Sequence, residues 1–231
     1  MHEPAARVKA AEALAAGEIV VVPFNGIFVL VGDADDPAVP ERVAVAKQRP
    51  AAKGIALVCP PEHLAEYVAP EVPVRTRARL SRVEALYGAV HAVGVILPAG
   101  PGAPAHVVRA GTILNVWTEQ RPVSPLRELV LELRRRGRRA LAGTSANQAG
   151  LPTITDPGEV VTLFGGRVPL ILLDTFETVP PARRRSASIV DLTGPAPRLA
   201  REGSVPAAEL REVLHRLALG GLAVADDVRR V

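Results

Sequence analysis

Gly143-Thr144-Ser145-Ala146-Asn147-Gln148-Ala149-Gly150-Leu151-Pro152-Thr153-Ile154-Thr155-Asp156 is the stretch whose reading decides the fold. A short apolar run, Ala140 to Ala142, leads into it as a strand. Asp156 and Pro157 close it with the signature of a helix start, a capping carboxylate followed by proline. Small residues, hydroxyls and one amide at the end of a strand make a backbone-rich turn suited to phosphate or nucleotide oxygens. Gly143 and Gly150 read as positions that permit positive φ and close ligand approach. Thr144, Ser145 and Asn147 supply side-chain donors, and the amides of the turn can form an anion-binding nest.

Outward from this turn, strands and helices alternate irregularly. An Ala-rich helix from Pro4 to Ala16 stops at Gly17, and short buried strands span Glu18 to Pro23 and Ile27 to Val31. A helix follows from Pro37 to Ala46 and ends before Pro50. Ile55 to Val58 is a strand, Pro61 to Tyr67 a short helix, Val74 to Leu86 a basic amphipathic helix and Val93 to Leu97 a strand. Strand signals resume at His106 and Thr112. Ser124 caps a helix that runs to Arg136. Further strands fit Leu170 to Leu173 and Ser188 to Leu192, with a final helix from Pro206 to Leu217. Several strand-to-strand steps are too short for a helical crossover, so the pattern predicts an α/β (α+β) fold with a mixed sheet. One domain over 1–219 and a weakly ordered tail over 220–231 are expected.

Composition narrows the class. Of 231 residues, 48% are hydrophobic, which excludes a disordered chain. No apolar run suits a bilayer span and the start lacks a signal pattern, so a soluble cytoplasmic protein with no membrane partner is expected. Cys59 is the single cysteine and the five histidines are isolated, so no metal site is assigned. The acidic turn Asp33, Asp35 and Asp36 reads as a helix entry. Arg134-Arg135-Arg136-Gly137-Arg138-Arg139 and Arg183-Arg184-Arg185 are dense positive clusters that suit RNA or phosphate. The first better suits a solvated helix C-terminus. Aromatic residues make up only 3%, which argues against a stacking platform for single strands. Trp117 and Cys59 read as core residues.

Lys47 and Arg49 stand at the end of a helix that Pro50 breaks, so both side chains can reach one pocket. A lysine point charge beside a forked guanidinium suits an adenylate or triphosphate. The order Lys47-x-Arg49-Pro50, Ser145-Ala146-Asn147-x-x-Gly150-x-Pro152, Ser188-Ile189-Val190-Asp191-Leu192 and Arg201-x-Gly203 resembles the YrdC-like family, which includes the threonylcarbamoyl-AMP synthases. The resemblance runs from about Ala10 to Val205. It implies a twisted mixed sheet with surrounding helices and a concave basic surface. It also implies chemistry that joins ATP, bicarbonate and L-threonine into threonylcarbamoyladenylate, for modification of a tRNA adenosine, with Mg²⁺ held mainly by triphosphate oxygens. Lys47 and Arg49 match the family's catalytic basic pair. Thr144, Ser145 and Asn147 match its nucleotide-binding turn, and Ser188 and Arg201 its later nucleotide-side residues. Double-stranded RNA or tRNA is a further partner the resemblance implies.

The sequence departs from the family's pattern where the amino acid is held. Pro-Thr-Asp-Thr-x-Tyr-Gly-Leu becomes Pro23-Phe24-Asn25-Gly26-Ile27-Phe28-Val29-Leu30, which leaves Asn25 as the only polar side chain for substrate. Val90-His91-Ala92-Val93-Gly94, Val116-Trp117-Thr118-Glu119, Ala149-Gly150 and Ala187 depart as well. Two readings stand: an adenylate-forming enzyme with threonine or another small acceptor, or a paralogue that binds nucleotide or double-stranded RNA without that chemistry.

Overall fold

Asn25 and Gly26 take φ of 46° and 91°, so the chain reverses in two residues between strands β1 (Val20–Phe24) and β2 (Ile27–Asp33). Asn-Gly is the dipeptide that tolerates two successive positive φ angles, and the reversal pairs Phe24 with Ile27. The structure is a computed structural model. It describes residues 4–49, 54–70, 74–90, 92–118, 125–148, 151–219 and 221, and the backbone alone for 223–230, with the side chains of 74–81 left aside. The Ser124 cap, the Pro50 stop, Gly150 and His91 lie outside the described residues.

The fold is α/β, and the chain forms two compact units. The first comprises Met1–Val58, Pro104–Val107 and Val123–Arg184. Its strands run in the order β1, β2, β7 (Leu141–Ser145), β3 (Ala56–Val58), with antiparallel neighbours. Every residue of β1 and β2 is buried, which is why both read as continuous apolar runs rather than alternating ones. Helices α1 (Pro4–Ala15) and α4 (Pro125–Arg135) pack on each other and on β1. Helix α2 (Val39–Lys47) begins over Gly32, where a Cβ would come within 2.6 Å of a Val39 methyl, so only glycine admits the helix this closely. Asp156 caps α5 (Pro157–Phe164) by accepting the Glu159 N–H at 2.8 Å, as the sequence predicts.

The second unit comprises Cys59–Ala103, Val108–Pro122 and Arg185–Val231. Strand β4 (Val93–Pro98) lies between β6 (Thr112–Trp117), antiparallel, and β8 (Ser188–Asp191), parallel. Strand β9 (Arg198–Glu202) adds antiparallel to β8, β10 (Ala223–Arg230) parallel to β9, and the short β5 (Val108–Arg109) to β6. Helices α3 (Val74–Ala89) and α6 (Ala207–Arg216) pack together. Asn115, fully buried, serves Cys59 as a strand would: its Oδ1 accepts the Cys59 N–H at 3.0 Å and its Nδ2 donates to the Cys59 carbonyl at 3.1 Å. Nδ2 also donates to the Tyr87 hydroxyl at 2.8 Å. Complete burial pushes the Tyr87 phenol far above its ordinary pKa. Trp117 is buried as expected.

Three expectations change. Residues 223–230, read as tail, form β10. Residues 170–173, read as a strand, contribute only a single parallel bridge from Ile171 to Val21. The strand expected at His106 is a 3-10 turn, Ala105–Val107, and the ladder starts one residue later. No helix of the described residues is long and apolar enough to cross a membrane.

Candidate nucleotide site

Helix α2 starts over Gly32 and ends at Lys47, whose side chain reaches the end of β7. Gln48 then takes φ 50° and its N–H returns to the Val45 carbonyl, so the helix ends in a left-handed cap. Lys47 is only 3% exposed. Its Nζ donates to the Ser145 carbonyl at 2.6 Å and to Asn147 Oδ1 at 3.2 Å. The same Oδ1 accepts from Ser145 Oγ at 2.7 Å. On its other side, Asn147 Nδ2 donates to the carbonyls of Gln148 (3.1 Å) and Leu151 (2.6 Å). One amide thus ties the lysine, the serine and both sides of the loop into a single arrangement, and two donors facing two carbonyls fix which way the amide points.

The turn is anchored from below by Phe28. Its carbonyl accepts the Ala146 N–H at 2.8 Å and its N–H donates to the Ile154 carbonyl at 3.2 Å. Gly143 has a role other than the expected one. It is paired within β7 to both Val31 and Ala56, and a Cβ there would meet the Leu30 carbonyl and a Val31 methyl at 3.0 Å. Close strands favour glycine at this position, and its φ is not positive. Thr144 sits half-exposed in register with Leu30. Arg49 is half-buried, with its N–H on the Ala44 carbonyl. A shallow pocket adjoins the turn through Gln148 and Leu151 and is completed by Ile154, Glu159, Thr162 and Leu163. Its apolar walls and single carboxylate are unsuited to phosphate.

Asn25 is the tip of the β1–β2 hairpin, and Gly26 beside it admits no side chain: a Cβ would lie 2.8 Å from a Val179 methyl and 2.9 Å from Arg184 Cγ. The chain from Asp174 to Arg184 is a strap over this hairpin. Phe176 lies on Phe28, with ring centroids 4.9 Å apart and planes at 60°. Phe176 takes φ 56°, and its N–H is held by Asp174 Oδ1 at 2.7 Å. Arg184 clamps the strap, donating from Nε to the Val179 carbonyl and from Nη2 to the Phe176 carbonyl, both at 2.9 Å. Nothing in the sequence marks this strap except the Arg183-Arg184-Arg185 run, whose middle member is spent here.

In the second unit the Ser188 and Arg201 motifs meet each other. Ser188 is fully buried; its Oγ donates to the Val205 carbonyl at 2.6 Å and accepts the N–H groups of Gly203 (2.8 Å) and Val205 (3.1 Å). This hydroxyl shapes the loop after β9 and faces no solvent. Arg201 donates twice to the Ala187 carbonyl, at 3.1 and 2.7 Å, and burial pulls its guanidinium below its ordinary pKa. A Cβ at Gly203 would lie 2.1 Å from the Ser186 carbonyl, so glycine is obligatory there.

The acidic turn is an ion-pair cluster. Arg138 faces Asp33 at 3.3 Å, Arg139 pairs with Asp35 and Arg42 with Asp36. Burial raises the Asp33 carboxyl above its usual range, whereas for Asp36 the Ala38 N–H and Arg42 outweigh burial and hold it low. His106 is held below its ordinary pKa by burial, against the pull of these three carboxylates. Arg135 and Arg136 pair with Glu132. Among the described residues no group of three or more His, Cys, Asp or Glu side chains is placed to hold a metal ion.

A family model described as "Telomere recombination", covering Sua5, YciO and YrdC, matches residues 12–114 and 121–203. The chain belongs to the Sua5/YciO/YrdC family. Among its relatives, the threonylcarbamoyl-AMP synthase of Enterobacter sp. (strain 638) is 28% identical over 180 residues, 78% of this chain and 90% of that protein. Among solved Sua5/YciO/YrdC structures, P. abyssi Sua5 complexed with L-threonine superposes with a TM-score of 0.73 at 23% identity, over 95% of this chain. The chain spans 58% of that Sua5. E. coli YciO gives a TM-score of 0.71 at 20% identity, with 90% and 94% of the two chains covered.

Proposed function

We propose that this Sua5/YciO/YrdC chain binds ATP at the Lys47 side of the Ser145-Ala146-Asn147 turn and forms a carbamoyl-adenylate from bicarbonate and a small amino acid. The observation that carries this is the junction of Lys47 with the Ser145 carbonyl and Asn147 Oδ1. It fixes a cation at the edge of a turn beside the half-exposed hydroxyl residues Thr144 and Ser145, which end β7. The reaction needs no strong general base. An amine and bicarbonate give a carbamate; its carboxylate oxygen attacks the α-phosphorus and pyrophosphate leaves. Positioning and charge neutralisation by fixed cations supply the rate. Mg²⁺ would enter as the ATP complex, held mainly by triphosphate oxygens. Lys47 orients the anion, and Asn147 positions Lys47 rather than reaching substrate itself.

Threonylcarbamoyl-AMP synthase activity, as in the 28% identical Enterobacter relative, is the specific form of this reading, with a tRNA adenosine as the eventual acceptor in the cytoplasm. A second reading, a paralogue that binds nucleotide or double-stranded RNA without the chemistry, is favoured by one observation: Phe176 covers Phe28 in a hairpin that carries no hydroxyl. Pyrophosphate release separates the two. Mg·ATP and bicarbonate with a panel of amino acids should release pyrophosphate only when an amino acid is present. ATP binding with no pyrophosphate from any of them selects the second reading, and no ATP binding at all removes both nucleotide readings.

A further inference from the structure

The helix that delivers Lys47 is held at its end by a side chain from outside it. The last carbonyls of an α-helix have no partner within the helix. In α2 the carbonyls of Ala44 and Val45 accept the N–H groups of Arg49 and Gln48, at 3.0 and 3.1 Å. The Ala46 carbonyl accepts instead from Arg167, whose Nη1 reaches it at 3.0 Å across 121 residues of chain. A cation suits this position, because the C-terminal end of a helix carries partial negative charge.

Arg167 stands just beyond α5, and its backbone is fixed. The N–H groups of Arg167 and Val168 both donate to the carbonyl of Phe164, whose side chain is fully buried. The chain that leaves Lys47's partners at Ser145 and Asn147 therefore comes back, through α5, to the helix of Lys47 itself. Arg167 is exposed whereas Ala46 is buried, so shortening the arginine opens no cavity in the core. The Ala46 carbonyl and the Lys47 N–H belong to one planar peptide unit. Holding that oxygen holds the plane from which the Lys47 side chain departs.

We infer that Arg167 is a positioning residue for the nucleotide phosphates: it acts through Lys47, by holding the Ala46 carbonyl, and does not itself touch the nucleotide. Lys47 has a long, flexible side chain, and its two contacts, to the Ser145 carbonyl and Asn147 Oδ1, align its ammonium group only while the helix end stays in place. Arg167 supplies that second anchor. The inference rests on the proposed nucleotide reading of the Lys47 site.

Mg·ATP is titrated calorimetrically into the whole chain, into Arg167→Met, Arg167→Lys and Lys47→Met, and into the double variant Arg167→Met/Lys47→Met. Amide hydrogen exchange is followed in parallel at Gln48 and Arg49. Arg167→Met should weaken Mg·ATP about fivefold, the scale of one charge-assisted contact at a helix end. Arg167→Lys, which keeps a cation, should restore most of that loss. In the double variant the arginine change should add little to Lys47→Met, because its effect travels through the lysine. Exchange at Gln48 and Arg49 should quicken about fivefold in Arg167→Met, with α5 unchanged. Undiminished Mg·ATP binding by Arg167→Met overturns the inference and leaves the nucleotide reading standing, and full additivity in the double variant overturns it too. If the folded wild type binds no ATP, the nucleotide reading falls and exchange decides. Unchanged exchange then overturns the inference, and faster exchange keeps Arg167 as the holder of the Lys47 peptide.

Discussion

Lys47 and Asn147, 100 residues apart in the chain, meet in a 3.2 Å hydrogen bond from Nζ to Oδ1. The bond makes the amide a bridge: one face receives a cation and a hydroxyl, the other holds the Gln148 and Leu151 carbonyls.

Asn147→Asp should therefore be more damaging than its small change in shape suggests. The new oxygen would face two carbonyls that now accept from Nδ2, and a nearby lysine does not remove that repulsion. We expect a loss of about 2–3 kcal/mol in urea unfolding, with Asn147→Ala losing about 1–3 kcal/mol. Equal stability of Asn147→Asp and wild type would show that the amide does not organise the loop.

Glycine positions divide by the space beside them. Gly203→Ala places a Cβ against the Ser186 carbonyl and should cost about 3 kcal/mol or more, by thermal unfolding, as an overpacked or strained site does. Gly166→Ala meets nothing within 4 Å at a φ that is not positive, and should be neutral or stabilising by about 0.5 kcal/mol. The same cost at both positions would refute the close contact at Gly203.

His106 links stability to pH. Its folded pKa is lowered from 6.5 chiefly by burial, so the native state prefers the neutral ring and binds fewer protons than the unfolded chain in the window below 6.5. The contribution is complete above pH 6.5 and is lost as pH falls through the folded value. Asp33, also buried but with its carboxyl raised by burial, contributes with the opposite sign. The denaturation midpoint should fall between about pH 7.5 and about pH 5.5, and His106→Asn should flatten that slope. An unchanged slope in the variant would assign the pH effect elsewhere.

The Arg134 to Arg139 cluster is committed within the protein, to Glu132, Asp33, Asp35 and two main-chain carbonyls. If the chain binds duplex RNA, the double variant Arg135→Gln/Arg136→Gln should change affinity by no more than about twofold and leave the salt slope intact. A slope reduced by about two in filter binding would instead make these arginines phosphate contacts.

The parts of this fold legible in the sequence are those with a local cause. Asn25-Gly26, Gly17 and Asp156-Pro157 each punctuate the chain through their own backbone preferences, and each marks an element end in the structure. Strand β9 was hidden because Arg198 to Glu202 carries two arginines and a glutamate, and β10 because Asp227 and its neighbours read as a polar tail; tertiary pairing overrides both patterns. At the site, residue types named Lys47, Ser145 and Asn147, but not how they divide the task. Ser188 is named by the family resemblance, and a hydroxyl motif gives no sign of the burial the structure shows. Phe176 carries no signal, since a contact across some 150 residues between two phenylalanines has no periodicity to reveal it.

The most direct measurement is calorimetric titration of Mg·ATP into the wild type and into Lys47→Met, with circular dichroism to confirm that both are folded. The account predicts saturable binding to the wild type and a loss of at least about tenfold in the variant, because a charge-assisted contact to phosphate is removed while the helix end keeps its volume. Equal affinity in the two proteins, or no binding to a folded wild type, would contradict it.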